Sequence, residues 1–168
     1  MLKVLVVEDE ELIRKGIVLA VDWASLDCIV VGEAANGEEG LALAETCRPG
    51  LIITDLKMPK MDGLQMMEQL RARGNDAFVI ILTAYDSFTY AQQALRLGAV
   101  DFLLKPFHDG DLEKAVLQLQ KRLSLQRKPP EVRLQEIRSG TKTRYVQEAM
   151  DYMGKNCGDS TLSVSQVA

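Results

Sequence analysis

Five short apolar runs, at residues 2–7, 28–31, 51–54, 78–83 and 100–104, do most to limit what this chain can fold into. Each is too short for a helix and rich in Val, Ile or Leu, the pattern of strands buried on both faces. Helical spacing fills the intervals. Leu12, Ile13, Gly16, Ile17 and Ala20 form one apolar stripe, and Leu41, Ala42 and Ala44 a second. Leu64, Met67 and Leu70 begin a third, Tyr90, Ala91, Ala94, Leu95 and Leu97 a fourth, and Leu112, Ala115, Val116, Leu119 and Leu123 a fifth. Turn signals at Asn36-Gly37, Pro49-Gly50, Gly74-Asn75 and Leu97-Gly98 are expected to end helices. Strand and helix thus alternate five times within residues 1–125. The expected class is α/β, a doubly wound five-stranded parallel sheet with helices on both faces and right-handed crossovers. In such sheets the functional site lies beyond the carboxyl ends of the strands. Glu8 and Asp9 fall there after the first strand, Asp55 after the third, Thr83 after the fourth and Lys105 after the fifth.

Composition excludes several function classes. Apolar residues make up 47% of the 168 and charged residues 26%, enough for a real core. The net charge of −4 carries no overall nucleic-acid footprint. The basic residues are unevenly spread, however: from Lys121 to Arg144 the only acids are Glu131 and Glu136. Such a stretch marks either a solvated helix face or a tail that meets nucleic acid. Cys28, Cys47 and Cys157 fit no zinc spacing, and His108 is the single histidine, so thiols are expected to be reduced. The opening MLKVLVVEDEE has neither the apolar length nor the cleavage site of a signal peptide, and no run approaches the roughly 20 apolar residues of a membrane span. A cytoplasmic protein is the expectation.

Lys128-Pro129-Pro130 breaks the helical pattern, because Pro cannot continue a helix and restricts the residue before it. The expected organisation is a first domain over 1–125, a linker over 126–141 and the beginning of a further domain over 142–168. Helical spacing returns at 143–156, with Val146, Ala149, Met150 and Met153 on one face. That helical C-terminal extension is too short to bury a core of its own.

Glu8, Asp9 and Asp55 converge on one strand-end surface. Like charges repel, so the cluster costs stability unless a cation or proton joins it. Hard oxygen ligands with open positions suit Mg²⁺, which keeps waters and accepts phosphate oxygens. Lys105 adds a positive charge and Thr83 a hydroxyl. A carboxylate nucleophile, a divalent cation, a lysine and a hydroxyl are the parts of phosphoryl transfer. Any one of these carboxylates can instead simply cap the next helix. What favours chemistry is that all five residues stand at the proper ends of four different strands.

VLVVEDE (4–10), ANGEEGLALA (35–44), IITDLKMPKMDGL (52–64), ILTAYD (81–86) and GAVDFLLKPF (98–107) together resemble the flavodoxin-like receiver domain of two-component response regulators. The resemblance implies that Asp55 is the phosphoacceptor, that Asp9, Asp55 and the main-chain carbonyl of Lys57 bind Mg²⁺ directly, and that Glu8 does so through water. It implies that Thr83 is the switch hydroxyl, Lys105 the phosphate-pairing lysine and Phe102 the switch aromatic, although Phe102 equally fits a plain core aromatic. Lys105-Pro106 is expected to be cis, as in the family. Pro59, Gly63, Tyr85 and Pro106 are expected to shape the pocket, Pro59 by fixing φ and Gly63 by permitting a tight turn. Asp62 reads as a helix cap, His108 as a helix-start residue, and Trp23, Met66 and Met67 as packing. The implied partner is a sensor histidine kinase, with homodimerisation through the fourth helix, fifth strand and fifth helix. Tyr85 and Lys57 flank the pocket and are expected to obstruct attacking water, giving a phosphoryl lifetime of minutes or longer. The chain is then a phosphoryl acceptor with slow self-dephosphorylation, not an enzyme.

Residues 145–168 resemble the opening of an AraC-type helix-turn-helix domain, with Leu162-Ser163-Val164-Ser165-Gln166-Val167-Ala168 as the family's Leu-Ser-x-x-x-x-Ala stretch. No recognition helix follows within the 168 residues. The natural protein is expected to be longer, with DNA a partner only of the full-length form; a dimerising tail is the plainer alternative. A haloacid-dehalogenase-type phosphatase would need a second acid two residues after the nucleophile, where Lys57 stands. A non-phosphorylated scaffold receiver would usually lack an acid or the lysine, and all are present.

Overall fold

Strands β1 (Leu2–Val7), β2 (Cys28–Ala34), β3 (Leu51–Asp55), β4 (Phe78–Thr83) and β5 (Ala99–Leu104) form one parallel sheet in the order β2-β1-β3-β4-β5. Helices α1 (Glu11–Ala20), α2 (Gly37–Cys47), α3 (Gly63–Ala72), α4 (Phe88–Arg96) and α5 (Asp111–Arg127) alternate with them. The computed structural model describes residues 1–84 and 88–127, with only the backbone of Phe88 and Arg127. The expected linker and C-terminal extension beyond residue 127, and Tyr85, lie outside the described residues. A compact unit spans Met1–Leu125, and α5 runs two residues past the expected boundary.

The sheet splits the core in two because side chains alternate across it. Leu5, Val7, Ile52, Val79 and Ile81 face one side, against residues of α2, α3 and α4. Val4, Val6, Ile53, Ile80 and Leu82 face the other, against Ile17 of α1 and Leu112, Ala115, Val116 and Leu119 of α5. The three central strands are buried almost throughout, which is why they read as unbroken apolar runs. The edge strands are longer than their apolar runs. Each carries a register shift, opposite Val4/Leu5 in β1 and Val79/Ile80 in β4. A strand with one solvent-facing edge tolerates Gly32, Glu33 and Asp101, so hydrophobicity alone understates its length.

Several local expectations hold. Asp62 caps α3 in a reciprocal box with Gln65. Trp23 is buried and donates from Nε1 to the Val18 carbonyl at 3.1 Å. Met66 and Met67 are fully buried. His108 sits in the turn before α5, where its N–H donates to Asp111 Oδ2 at 2.9 Å.

Others need correction. Asn36-Gly37 begins a helix rather than ending one: Asn36 is the buried N-cap of α2 and accepts from the Glu39 N–H. Leu12, Ala42 and Leu95 belong to the apolar stripes but face solvent, Leu12 at 89% exposure. Helical spacing defines a stripe about 100° wide, while the neighbouring elements cover only part of it. Replacing Leu12 with Ser is therefore expected to change stability by less than about 0.5 kcal/mol. Ile17→Ala on the same helix is expected to cost about 2–5 kcal/mol. Urea unfolding of both variants checks this, and equal losses would mean that α1 packs through Leu12 after all.

Candidate functional site

The strand order reverses between β1 and β3: the chain leaves β1 for β2 on one side and resumes at β3 on the other. Helices diverge from such a point to opposite faces, opening a crevice at the carboxyl ends of the two strands. Glu8 and Asp9 follow β1, and Asp55 ends β3. One carboxylate oxygen from each of the three lies within 4.8 Å of the others. Glu8 and Asp55 are buried and Asp9 is exposed, so the pocket has a dry floor and a wet rim.

Lys105, just past β5, reaches into this floor. Its Nζ donates to Glu8 Oε2 at 2.6 Å and to Asp55 Oδ2 at 3.1 Å. Its backbone N–H donates to the Thr83 carbonyl at 2.8 Å, which fixes the lysine to the end of β4. The Lys105-Pro106 peptide is cis, as expected. The Leu56 N–H donates to Asp55 Oδ1 at 2.6 Å, so both oxygens of that carboxylate are held.

The ammonium does not fully compensate the acids. Burial pushes Glu8 up to about 7; the Lys105 hydrogen bond pulls it down, and the Asp55 charge raises it again. Burial alone would lower Lys105, but the Glu8 hydrogen bond and the charges of Asp55 and Glu8 hold it above its ordinary range. Fully ionised, three carboxylates and one ammonium leave two negative charges. That imbalance and the all-oxygen donor set fit a hard divalent cation such as Mg²⁺.

The loop after β3 closes the floor. The Gly63 N–H donates to the Leu56 carbonyl at 2.9 Å, and a Cβ at Gly63 would stand 2.3 Å from the Asp55 carbonyl oxygen. Glycine is thus required for close backbone approach and not for a left-handed turn. The residue with positive φ in this loop is Lys60, at 67°. Pro59 is exposed on the same loop. Thr83 is fully buried at the end of β4, and Phe102 is half-buried against the α2–α4 side of the core with Tyr90 and Leu97. Register pairs Phe102 with Ile81 and Leu104 with Thr83, which puts Phe102 and Thr83 on one sheet face.

Two contacts had no signal in the residue pattern. The Lys57 ammonium lies 4.6 Å from the centroid of the Tyr90 ring on α4, a cation–π contact. Arg14, one turn into α1, donates from a guanidinium nitrogen to the Glu8 main-chain carbonyl at 2.6 Å.

The sequence profile of the response regulator receiver domain matches residues 4–117. The "Uncharacterized transcriptional regulatory protein YesN" of Bacillus subtilis (strain 168) is 31% identical over 153 residues, covering 88% of this chain and 42% of that protein. The "Nitrate/nitrite response regulator protein NarL" of Escherichia coli (strain K12) is 36% identical over 115 residues, covering 68% and 53%. The chain thus spans about half the length of these relatives. Among solved structures, the REC domain of AraT, a response regulator from Geobacillus stearothermophilus, is 41% identical with a TM-score of 0.69. The match covers 76% of this chain and 98% of that one.

Two outcomes test the pocket's physics. Gly63→Ala is expected to cost about 1–3 kcal/mol in a denaturant series, because the new methyl meets main chain that cannot rotate away. The second concerns pH in metal-free buffer. Glu8 binds its proton more tightly folded, at about 7, than at its ordinary 4.5. Its stabilising contribution is present below pH 4.5 and is lost as pH rises through about 7. The stability of wild type relative to Glu8→Gln should fall across that window, and a flat difference would show that Glu8 is not held above its ordinary range.

Proposed function

This chain belongs to the response regulator receiver domain family of two-component systems, and on that footing we propose that Asp55 accepts a phosphoryl group from a sensor histidine kinase. The observation that carries the reading is Lys105 Nζ within hydrogen-bonding distance of both Glu8 and Asp55. A fixed cation beside the nucleophile, at a strand end that also gathers a third carboxylate, is the electrostatic arrangement phosphoryl transfer needs.

Glu8, Asp9, Asp55 and the Lys57 carbonyl would hold Mg²⁺, Glu8 through water; bound there, it neutralises charge on the transferring phosphoryl oxygens. The Asp55 carboxylate attacks phosphorus in line. The new P–O bond forms as the P–N bond of phosphohistidine breaks, and the imidazole keeps the electron pair. The product is an aspartyl acyl phosphate. Its extra charge and acceptor oxygens draw the Lys105 ammonium and the Thr83 hydroxyl. Each charge-assisted hydrogen bond contributes about 1.5–3 kcal/mol, enough together to shift a two-state equilibrium roughly a hundredfold or more. Movement of Thr83 is transmitted to Phe102 on the same sheet face.

The output surface is then α4, β5 and α5, where Leu95, Leu104 and Leu117 are exposed apolar residues. Homodimerisation there switches a DNA-binding domain of AraC type that begins within 142–168. The transcriptional role named for YesN supports a regulator of this kind. The chain acts as a phosphoryl acceptor, not a turnover catalyst: Lys57 occupies the place where a haloacid-dehalogenase-type phosphatase needs its second acid.

Treatment with acetyl phosphate and Mg²⁺ is expected to add one phosphoryl group to wild type and none to Asp55→Asn, read by intact-protein mass spectrometry. Size-exclusion chromatography of the labelled protein should show association, and phosphate release should be no faster than a phosphoryl lifetime of minutes allows. Label on Asp55→Asn at the wild-type level would refute the acceptor assignment, and unchanged size on labelling would refute the dimer switch.

A further inference from the structure

We propose that Arg14, anchored by Glu33, is a positioning residue for cation binding at the acidic pair. The inference rests on the phosphoacceptor reading above and deepens it. α1 begins directly after the pair, yet its N-cap, Glu10, makes no side-chain capping bond. The turn holding Glu8 and Asp9 therefore lacks the usual device that locks a helix start. Three other contacts restrain it. The Glu8 N–H donates to the Ala34 carbonyl of β2 at 2.9 Å. The Glu10 N–H donates to Glu8 Oε1 at 3.2 Å. Arg14 grips the Glu8 carbonyl at 2.6 Å.

Arg14 is itself oriented. Its Nε forms an ion pair with Glu33 Oε2 on the edge strand at 3.4 Å, an electrostatic contact rather than a hydrogen bond, and its side chain is only 14% exposed. Glu33 immediately precedes Ala34, so β2 holds Glu8 both directly and through the guanidinium. Lys15, the other cation on Glu33, is half-exposed; its Nζ donates to Glu33 Oε1 at 3.1 Å and also lies 3.1 Å from Oε2. Arg14 thus acts on a main-chain oxygen, fixing where the adjacent carboxylates point without touching them. Partners that hydrogen-bond ligating side chains directly typically contribute 10–100-fold in affinity, and a hold on the main chain of the same turn is expected at the low end of that range.

Electrostatics alone makes the opposite prediction. A guanidinium near three carboxylates repels an incoming cation, so Arg14→Gln would tighten Mg²⁺ binding and Arg14→Lys would leave it unchanged. Positioning needs the two-point geometry of the guanidinium, which lysine cannot supply.

The full chain and its variants are titrated with Mg²⁺ alone, reading the rise in melting temperature, and then with Mg²⁺ at fixed acetyl phosphate, reading the half-saturating concentration and the plateau labelling rate separately. Arg14→Gln, Arg14→Lys and Glu33→Gln are each expected to raise the half-saturating Mg²⁺ roughly 10-fold, with the plateau rate within about twofold of wild type. Lys15→Gln should match wild type. Tighter binding in Arg14→Gln, or wild-type binding in Arg14→Lys, overturns the inference, as does a fall in plateau rate at unchanged half-saturation. Wild type that binds Mg²⁺ but takes no label sinks the phosphoacceptor reading alone, and wild type with no Mg²⁺ response sinks both.

Discussion

Lys105 brings one ammonium to two buried carboxylates, and the rest of the site is arranged around that contact. Glu8 and Asp55 leave water when the sheet assembles, and the lysine offsets only part of the desolvation cost. The remainder appears as the raised proton affinity of Glu8. A domain that buries acids it cannot neutralise has stored a preference for a cation or a proton. Both the fit to Mg²⁺ and the pH response expected of the metal-free fold come from that imbalance.

Topology places the imbalance where chemistry can use it. Reversal of strand order between β1 and β3 makes the crevice, and the two apolar faces of the sheet hold its walls. The central strands are buried almost throughout, Thr83 at the end of β4 included, whereas Phe102 lies at the core margin and the Lys57–Tyr90 contact joins the β3–α3 loop to α4.

Much of this is legible in the residue pattern. Apolar runs separated by helical spacing are local, and β1 and β4 matched theirs residue for residue. Asp55, Glu8, Asp9 and Lys105 stood at strand ends in the residue pattern and meet in the structure. The failures share a cause. Leu12 belonged to a helical stripe, but which part of a stripe is covered depends on neighbours. Gly63 suggested a turn, yet it is needed because Asp55 main chain passes close by. Arg14 carries no signal in the residue pattern, because its contacts to the Glu8 carbonyl and Glu33 exist only in the folded chain.

The sequence by itself determined the secondary elements, their parallel class and the chemical identity of the pocket, because these depend on residue type and spacing over a few turns of chain. Tertiary structure decided which carboxylate is buried, how far Lys105 compensates it and which residues orient it. Those properties arise between groups as far apart in sequence as Glu8 and Lys105, 97 residues. Desolvation and charge pairing at that range exist only once the strands are side by side.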